Sequence, residues 1–278
     1  MEGPTSRIVS GCNNPKTKKV AWLHIELNTP DLAALGFKTI EEARRAYSEF
    51  DRVVAVSESV KECFERNLPF DKEIAILYNT NETEQIQQLA QELVNEVDFN
   101  DRDYIKVCSV AKLMKTKGFD RLVKVHKRLL DEGLKHKIYI LGIGEEQKCL
   151  ENAIEKNQLE DSFVLLGFKD NPYKYVANCD LYVCSSRREG FSTAVTEALL
   201  VGTPVVSTDC SGAKELLGEN DEYGIVVENN EEGIYQGIKK MLSDSELLKY
   251  YKKQAERRGS FFNREKTVRE VEKMLDRL

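Results

Sequence analysis

The strongest constraint on the fold is a regular alternation of short β-branched runs and longer helical stretches that begins near residue 104. Parallel strands need crossover connections, and a helix in each connection supplies one. The pattern therefore predicts an α/β domain with a doubly wound parallel sheet covered on both faces. Its predicted strands are Ile105 to Val110, Lys137 to Leu141, Phe163 to Gly167, Leu181 to Ser185, Pro204 to Thr208 and Gly224 to Val227. Its predicted helices lie near residues 118–131, 145–157, 172–178, 192–201, 212–217 and 231–242.

Residues 1–80 repeat the alternation in a shorter form. Ser57 is placed as the N-cap of a helix in which Val60 and Phe64 follow at helical spacing. Residues 81–103 are polar, which predicts a linker with a helix in its first half. The predicted strands of the first part are 19–25, 51–56 and 73–77, and its predicted helices are 39–49 and 58–67.

Composition excludes several classes of protein. The net charge of −6 argues against a general nucleic-acid binder. The seven cysteines form no C-x-x-C pair, which favours buried thiols in a reducing cytoplasm over a metal centre or a disulfide framework. No apolar run reaches the ~18 residues of a membrane span. Residues 244–278 carry ten Lys or Arg against seven Asp or Glu, which favours a solvated helical face over peripheral contact with an anionic membrane.

The segment from Glu189 to Glu197 reads EGFSTAVTE and carries the most specific chemistry. A Gly-Phe-Ser-Thr turn that opens a helix leaves backbone N–H groups free to bind a phosphate-like anion. Carboxylates on both sides of an anion site are costly unless they accept hydrogen bonds from a neutral polyol. The predicted ligand is a nucleotide sugar. The alternative is an amphipathic helix with a buried apolar stripe and two solvated glutamates.

The longer stretch from Cys179 to Glu215, which contains CSSRREGFSTAVTEALLVGTPVVSTDCSGAKE, resembles the signature of glycosyltransferase family 4. The resemblance extends over residues 104–278 and, more loosely, over 19–80. It implies a retaining enzyme of the GT-B fold, with two Rossmann-like domains. The expected organisation is an incomplete amino-terminal domain in 1–85, a linker in 86–103, a nucleotide-sugar domain in 104–260 and a carboxy-terminal helix in 261–278 that packs back toward the first domain.

The beginning of the chain departs from the family pattern. Family members have an amino-terminal domain about as large as the second one, and it starts with a strand and a glycine-rich loop near the acceptor site. This chain starts with MEGPTSR, partway through that domain. The comparison implies a truncated acceptor side, or a partner chain that completes it.

The loop SVAKLMKTKG, residues 109–118, places three lysines after a predicted strand. By resemblance, Lys112 and Lys117 stabilise the departing nucleoside diphosphate without a metal, because fixed cations offset its charge. In isolation the same loop reads as a lysine-rich surface loop.

Glycines mark two further strand ends. Gly142 and Gly144 form a turn between a strand and a helix, but the third glycine of a dinucleotide fingerprint is missing, so a tight turn explains them equally well. By resemblance, Gly167 and Phe168 lie against the nucleotide base. Phe168 fits a core position equally well.

Within the signature, the resemblance gives Glu197 the ribose hydroxyls and Glu189 the hydroxyls of the donor sugar. The turn beginning at Gly190 then offers N–H groups from Phe191, Ser192 and Thr193 to sugar or phosphate. Family members more often have Gly where Ser192 stands, a change that keeps the N–H group and leaves sugar selectivity open.

Three other polar features have a functional and a structural interpretation. His24 ends an apolar strand, where the family often has a histidine near the donor sugar, although a lone histidine is more often structural. Asn79 matches an asparagine at the family's interdomain hinge and is interpreted as a turn residue. Asp101-Arg-Asp103 matches the metal-binding Asp-x-Asp motif of another glycosyltransferase fold, but it lies before a strand and is interpreted as a chance match.

These features predict a cytoplasmic, metal-independent retaining transferase that moves a hexose-type sugar, with UDP-sugar favoured, to a glycan or lipid-linked acceptor. No cofactor is expected, because the nucleotide sugar is a substrate, and the inner membrane face is an alternative location. The leaving phosphate is expected to take the acceptor proton. The rival hypotheses are a donor-binding subunit that needs a partner chain, and an epimerase or phosphorylase on the same architecture.

Overall fold

The computed structural model describes residues 3–69, 71–94, 99 and 103–278, which divide into two compact units. The first unit comprises residues 1–80, 189–191 and 264–278, and the second comprises 81–188 and 192–263. The motif at 101–103 falls largely outside the described residues, as does part of the predicted linker.

The first unit contains a small parallel sheet in the order β1-β2-β3. Val20 is in register with Arg52, and Val53 with Ile74. Tyr47 is fully buried and packs edge-on against Phe64, with ring centroids 4.9 Å apart. Its amino-terminal elements are α1 (Pro4–Ser10), β1 (Val20–Leu23), α2 (Pro30–Ala33), α3 (Ile40–Ser48), β2 (Arg52–Ala55), α4 (Glu58–Asn67) and β3 (Ile74–Ile76).

The three predicted strands and two predicted helices of this region are confirmed with small changes of boundary. Ser57 caps α4, because its Oγ accepts the Val60 N–H at 3.1 Å. The sequence interpretation missed α1 and α2. Both are short and lack an apolar repeat, so their positions depend on contacts with the rest of the unit.

The second unit is a six-stranded sheet in the order β6-β5-β4-β7-β8-β9, with every recorded pair parallel. Fully buried Val107, Ile138 and Leu181 form part of its core beneath the helices. The elements are α5 (Thr83–Leu89), β4 (Ile105–Val110), a 3-10 turn (Lys115–Lys117), α6 (Phe119–Asp131), β5 (His136–Leu141), α7 (Gln147–Lys156), β6 (Phe163–Gly167), α8 (Tyr173–Ala177), β7 (Leu181–Cys184), α9 (Thr193–Leu200), β8 (Val205–Thr208), α10 (Ala213–Leu217), β9 (Ile225–Val227), α11 (Glu231–Ser243) and α12 (Ser245–Gly259).

All six strands and six helices predicted for residues 104–242 are confirmed, and the fold class is α/β with parallel sheets. Cys108 and Cys184 are buried, as predicted. The last helix, α13 (Arg264–Leu275), groups with the first unit.

Candidate active site

The strand order of the second unit locates its ligand crevice. The chain runs outward from β4 through β5 to β6, then returns to the other side of β4 for β7, β8 and β9. Between β4 and β7 the connections therefore leave in opposite directions. In open α/β sheets, ligands bind outside the carboxyl ends of the strands at such a switch point. The loops that border it here are residues 111–118 and 185–188.

The first of these loops carries the predicted lysines. Lys112 is exposed and Lys117 is half-buried. Gly118 has φ +70°, and a Cβ at this position would lie 2.1 Å from the Ser185 carbonyl oxygen. Only glycine fits there, because the left-handed backbone and the close approach both exclude a side chain. The loop therefore lies directly against the start of the loop after β7.

The glycines after β5 have a packing role. A Cβ on Gly142 would lie 2.0 Å from the Ala111 oxygen, and one on Gly144 would lie 2.3 Å from the Leu113 oxygen. The Leu113 N–H donates to the Ile143 oxygen at 3.1 Å. The two glycines thus allow the loop after β5 to lie close against residues 109–118, called the lysine loop below. This close packing agrees with the interpretation of the two glycines as a tight turn.

The end of β6 presents an aromatic ring to solvent. Gly167 has φ +71° and accepts a hydrogen bond from the Gly142 N–H at 2.8 Å. Phe168, the next residue, is 67% exposed, so the interpretation of Phe168 as a core residue is wrong. A large exposed ring at a ligand-binding edge is available for stacking.

Sequence reasoning missed two further apolar residues at this edge. Met114 follows β4 and is 39% exposed, and Ile143 follows β5 and is 54% exposed. Their positions in the loops that follow β4 and β5 could have identified them from the sequence. Ile143 was missed because Gly142 and Gly144 on either side of it indicate a turn.

The predicted helix start follows the loop after β7. Ser192 is the N-cap of α9, and its Oγ accepts the Val195 N–H at 3.4 Å. Thr193 is exposed in the first turn. The first N–H groups of any α-helix lack intrahelical acceptors, so this end of α9 is suited to binding an anion.

Glu197 lies one turn inside α9, and its side chain is half-buried. Burial raises its pKa to about 7, and the Tyr173 hydroxyl opposes this weakly by donating to Oε1 at 3.5 Å. Glu197 is therefore only partly solvated, between the two interpretations that the sequence left open. Tyr173 on α8 was not identified from sequence, because the two residues are 24 positions apart on different helices.

The remaining candidates lie in the first unit. His24 is exposed after β1, and its ring lies nearly parallel to that of Trp22 at 6.5 Å. Gly190 bridges to Ile25, and a Cβ on Gly190 would lie 1.9 Å from the His24 oxygen. This close approach explains why Gly190 is a glycine. Glu189, immediately before it, is half-buried.

Phe191 anchors the same short segment. Its ring is buried and stacks on Tyr78, with centroids 5.0 Å apart. The Asn79 Nδ2 donates to the Phe191 oxygen at 3.5 Å. Asn79 therefore contacts backbone, as a turn residue would.

By unit, the candidate residues fall into two groups. The first unit holds His24, Glu189, Gly190 and Phe191. The second unit holds Lys112, Lys117, Gly142, Gly144, Gly167, Phe168, Ser192, Thr193 and Glu197. This second group lies around the carboxyl edge of one sheet, where a single ligand can contact several loops.

A family model matches this part of the chain. The model described as "Glycosyl transferases group 1" matches residues 90–258, more than half of the chain and nearly all of the second unit. The chain belongs to the group 1 glycosyltransferases.

Individual relatives extend the comparison. The chain is 39% identical over 206 residues to the N-acetylgalactosamine-N,N'-diacetylbacillosaminyl-diphospho-undecaprenol 4-alpha-N-acetylgalactosaminyltransferase of Campylobacter jejuni, a match that covers 73% of this chain and 54% of the relative. S. aureus TarM superposes with TM-score 0.76 at 20% identity, covering 96% of this chain and 52% of TarM. Anabaena HepE superposes with TM-score 0.77 at 21% identity, covering 93% and 72%. At such identities the two structures show a shared fold, which is of the GT-B type.

The chain spans between half and two thirds of the length of the first curated relatives it matches. Within the described residues of this group 1 glycosyltransferase, no cluster of three or more His, Cys, Asp or Glu side chains could hold a metal ion. No helix in the described ranges combines the length and apolar composition that a membrane crossing requires.

Proposed function

We propose that this group 1 glycosyltransferase is a retaining, metal-independent enzyme of family 4 that transfers a hexose-type sugar from a UDP-sugar to a glycan or lipid-linked acceptor. The observation that carries the proposal is Glu197, a largely buried carboxylate with a pKa near 7. It lies one turn inside a helix whose amino end follows the ligand crevice.

A buried carboxylate is costly unless hydrogen bonds compensate the lost hydration. The long contact with the Tyr173 hydroxyl compensates little, because a hydrogen bond at 3.5 Å is weak. A ribose offers two adjacent hydroxyl donors, and either can donate to a carboxylate oxygen. Binding a nucleoside would thus supply what Glu197 lacks in the free protein.

The diphosphate would bind beside this position. The amino end of α9 provides backbone N–H groups, and Lys112 and Lys117 provide charge from the loop after β4. Phe168 offers an exposed ring for the base. Every part of a nucleoside diphosphate then has a matching group at one edge of the second unit.

The relatives support a uridine nucleotide and a lipid-linked or glycan acceptor. The solved structures of HepE and TarM include complexes with UDP, and HepE was also solved with UDP-glucose. The name of the C. jejuni relative specifies an acceptor built on diphospho-undecaprenol. Because the chain spans about half of that relative, the acceptor remains part of the proposal.

In the proposed mechanism, chemistry depends on charge stabilisation and orientation. Lys112 and Lys117 stabilise the diphosphate as the bond between the anomeric carbon and its phosphate oxygen breaks. The acceptor oxygen bonds to the same face of that carbon, and an oxygen of the leaving phosphate takes the proton of the acceptor hydroxyl. The roles of Glu189 and His24 toward the donor sugar stay predictions from the family resemblance. Interactions that strengthen as the leaving group gains charge raise the rate of the chemical step.

The test is binding followed by transfer. Thermal shift and calorimetry with UDP-, GDP- and ADP-sugars should show concentration-dependent stabilisation, strongest for one uridine donor. Glu197→Ala should abolish it, whereas Glu155→Ala, an exposed glutamate on α7, should not. Binding to Glu197→Ala as tight as to the parent would refute the ribose role.

A second function, a donor-binding subunit without activity of its own, is favoured by the small three-stranded sheet of the first unit. Nucleotide-sugar binding without hydrolysis or transfer to any polyprenyl-diphosphate or glycan acceptor would support this alternative. For the enzyme, Lys117→Ala should lower turnover at saturating donor, and unchanged turnover would argue against a leaving-group contact.

A further inference from the structure

Two arginines join the loops that border the crevice, and neither was identified from the sequence. Arg187 lies in the loop after β7, and Arg121 lies in the first turn of α6. Both reach across the switch point between β4 and β7. The contacts of Arg187 fix the backbone of the loop at residues 109–118, and those of Arg121 hold the loops after β7 and β9.

Arg187 makes an end-on pair with Asp120. Its Nη1 donates to Oδ1 at 2.7 Å and its Nη2 to Oδ2 at 2.8 Å. The same Nη1 donates to the Lys115 oxygen at 2.7 Å, and the Arg187 backbone N–H donates to the Thr116 oxygen at 2.7 Å. Arg187 therefore supplies hydrogen bonds to two consecutive carbonyl groups of the 3-10 turn.

The Asp120 carboxylate is stabilised in its charged form by its position and by Arg187. It lies in the first turn of α6, where a carboxylate is stabilised by the helix dipole. The Arg187 guanidinium lowers the pKa of Asp120, which keeps the carboxylate ionised. A planar guanidinium can bind both carboxylate oxygens at once, whereas a lysine ammonium cannot reproduce this geometry.

Arg121 connects α6 to the loops after β7 and β9. It is 8% exposed, and its Nη2 donates to the Ser185 oxygen at 2.6 Å. Its Nη1 donates to the Asn229 oxygen at 3.2 Å and to Asn229 Oδ1 at 3.0 Å. Asn229 in turn donates from Nδ2 to the Arg187 oxygen at 3.0 Å. The arrangement links α6, the loop after β7 and the loop after β9 into one hydrogen-bonded network.

The charges of this network do not cancel. All the hydrogen-bond acceptors of Arg121 are neutral, and the Asp120 carboxylate is already paired with Arg187. Two guanidinium groups thus share the Asp120 carboxylate at the carboxyl edge of the sheet, with Glu146 as a weaker electrostatic partner of Arg187, beside a loop with three lysines. A surplus of positive charge at this position suits a ligand with two negative phosphates.

We propose that Arg187 is a positioning residue for the donor diphosphate: by binding Asp120, Lys115 and Thr116 together, it holds the lysine loop in the conformation that binds the phosphates. The inference rests on the proposed function and assigns a role to a residue outside the ligand-contacting set. Without the contacts of Arg187, the backbone of the lysine loop would sample more conformations. Ligand binding would then have to order it, and the lost conformational entropy would weaken the affinity.

The experiment compares UDP with uridine by calorimetry, because only UDP carries the diphosphate. In Arg187→Lys, which keeps the charge but loses the paired geometry, UDP should bind about tenfold more weakly. Uridine should change by less than about twofold. Asp120→Asn should reproduce the effect, and the double variant should lose little more than either single variant, because both remove the same contact.

Arg128→Lys is the matched control. Arg128 lies on the same helix α6, near its other end, and pairs with Glu232 at 2.6 Å. It tests the loss of a guanidinium pair away from the crevice, and we expect unchanged affinity for both ligands. Equal loss of UDP and uridine affinity in Arg187→Lys would overturn the inference in favour of a general folding role.

The inference and the proposed function fail differently. If the parent protein binds UDP and Arg187→Lys binds it equally well, the positioning role is wrong while the proposed function stands. If the parent binds no nucleoside diphosphate, the proposed function fails and the inference fails with it.

Discussion

Two buried titratable clusters of the second unit differ in how well their polar atoms are satisfied. At the amino edge of the sheet, His126 and His136 are fully buried, and His126 Nδ1 lies 2.8 Å from His136 Nε2. His126 Nε2 lies 2.9 Å from the Ser162 hydroxyl, and His136 Nδ1 lies 2.8 Å from the Leu134 oxygen. Beyond the carboxyl edge, the carboxylate of half-buried Glu197 has one hydrogen bond among the described residues, at 3.5 Å.

The tautomers of the two histidines follow from the Leu134 carbonyl at one end of this hydrogen-bonded chain. The Leu134 carbonyl can only accept, so His136 carries its proton on Nδ1 and accepts at Nε2 from His126 Nδ1–H. His126 Nε2 then accepts from Ser162. Every ring nitrogen is satisfied in the neutral state, and burial lowers the pKa of His126 to about 3.

The difference separates a structural cluster from a ligand-binding group. A satisfied buried network stabilises one conformation and needs no ligand. A buried carboxylate with one weak partner destabilises the free protein and can recover that free energy on binding. Four predictions test the distinction, in decreasing order of expected effect.

The largest effect should follow His126→Leu. The substitution leaves His136 Nε2 without its hydrogen-bond partner in the core and removes the contact with half-buried Ser162, so the free energy of unfolding at pH 7.5 should fall by about 3 to 4 kcal/mol. Urea titration monitored by circular dichroism measures this change. UDP affinity, measured well below the unfolding midpoint, should stay the same. A large loss of UDP affinity in the folded variant would contradict the division between the two clusters.

Glu197→Gln should give the opposite pattern. The amide keeps the shape but removes a buried charge, so at pH 8 the free energy of unfolding should rise by about 1 to 2 kcal/mol. UDP affinity should fall by at least about tenfold, because an amide oxygen is a weaker acceptor for the ribose hydroxyls. Glu155→Gln on α7 is the control and should change neither quantity. A variant that is less stable yet binds UDP normally would make Glu197 structural.

These contrasts also show what the sequence could predict. The strand at Ile105–Val110 follows from a β-branched run, and the lysine loop follows from its place after that strand. Glu197 was identified from a local motif within nine residues. Local patterns of this kind survive folding because they depend on neighbours in the chain.

Other parts of the site depend on residues far apart in sequence. Asp120 and Arg187 are separated by 67 positions, and Arg121 and Asn229 by 108. No periodicity marks such pairs, since either arginine alone reads as an ordinary polar residue. Gly142 and Gly144 were recognised as a turn, but the reason they must be glycines is the backbone of residues 111–113, which only the folded sheet brings close.

The third prediction uses the opposite signs of the two pKa shifts. Lowering the pH from 7.5 to 5.5 protonates His126 in the unfolded chain but not in the folded one, which destabilises the fold by about 1.5 kcal/mol. Over the same range Glu197 takes up a proton in the folded protein but not in the unfolded chain, which stabilises the fold by about 2 kcal/mol. Burial also lowers the pKa of His136, so its contribution has the same sign as that of His126 and opposes that of Glu197.

Urea titrations at both pH values measure the result. Glu197→Gln should lose stability on acidification, because only the histidine contribution remains. His126→Leu should gain stability on acidification relative to its own value at pH 7.5. Parallel pH dependence in the parent and both variants would show that these groups do not titrate as their environments require.

The smallest effect should follow Tyr173→Phe. Burial, and after it the Glu197 carboxylate, raises the pKa of the Tyr173 hydroxyl, which donates only a long hydrogen bond to that carboxylate. Removing it should raise the pKa of Glu197 slightly and weaken UDP binding by less than about threefold, because a long hydrogen bond contributes below ~1 kcal/mol. Calorimetry at pH 6 and pH 8 separates the two consequences, since a higher pKa weakens binding more at pH 6. If Tyr173→Phe instead weakened UDP binding as much as Glu197→Gln, the tyrosine would contact the nucleotide itself, and Glu197 would no longer be the group whose missing partners define the site.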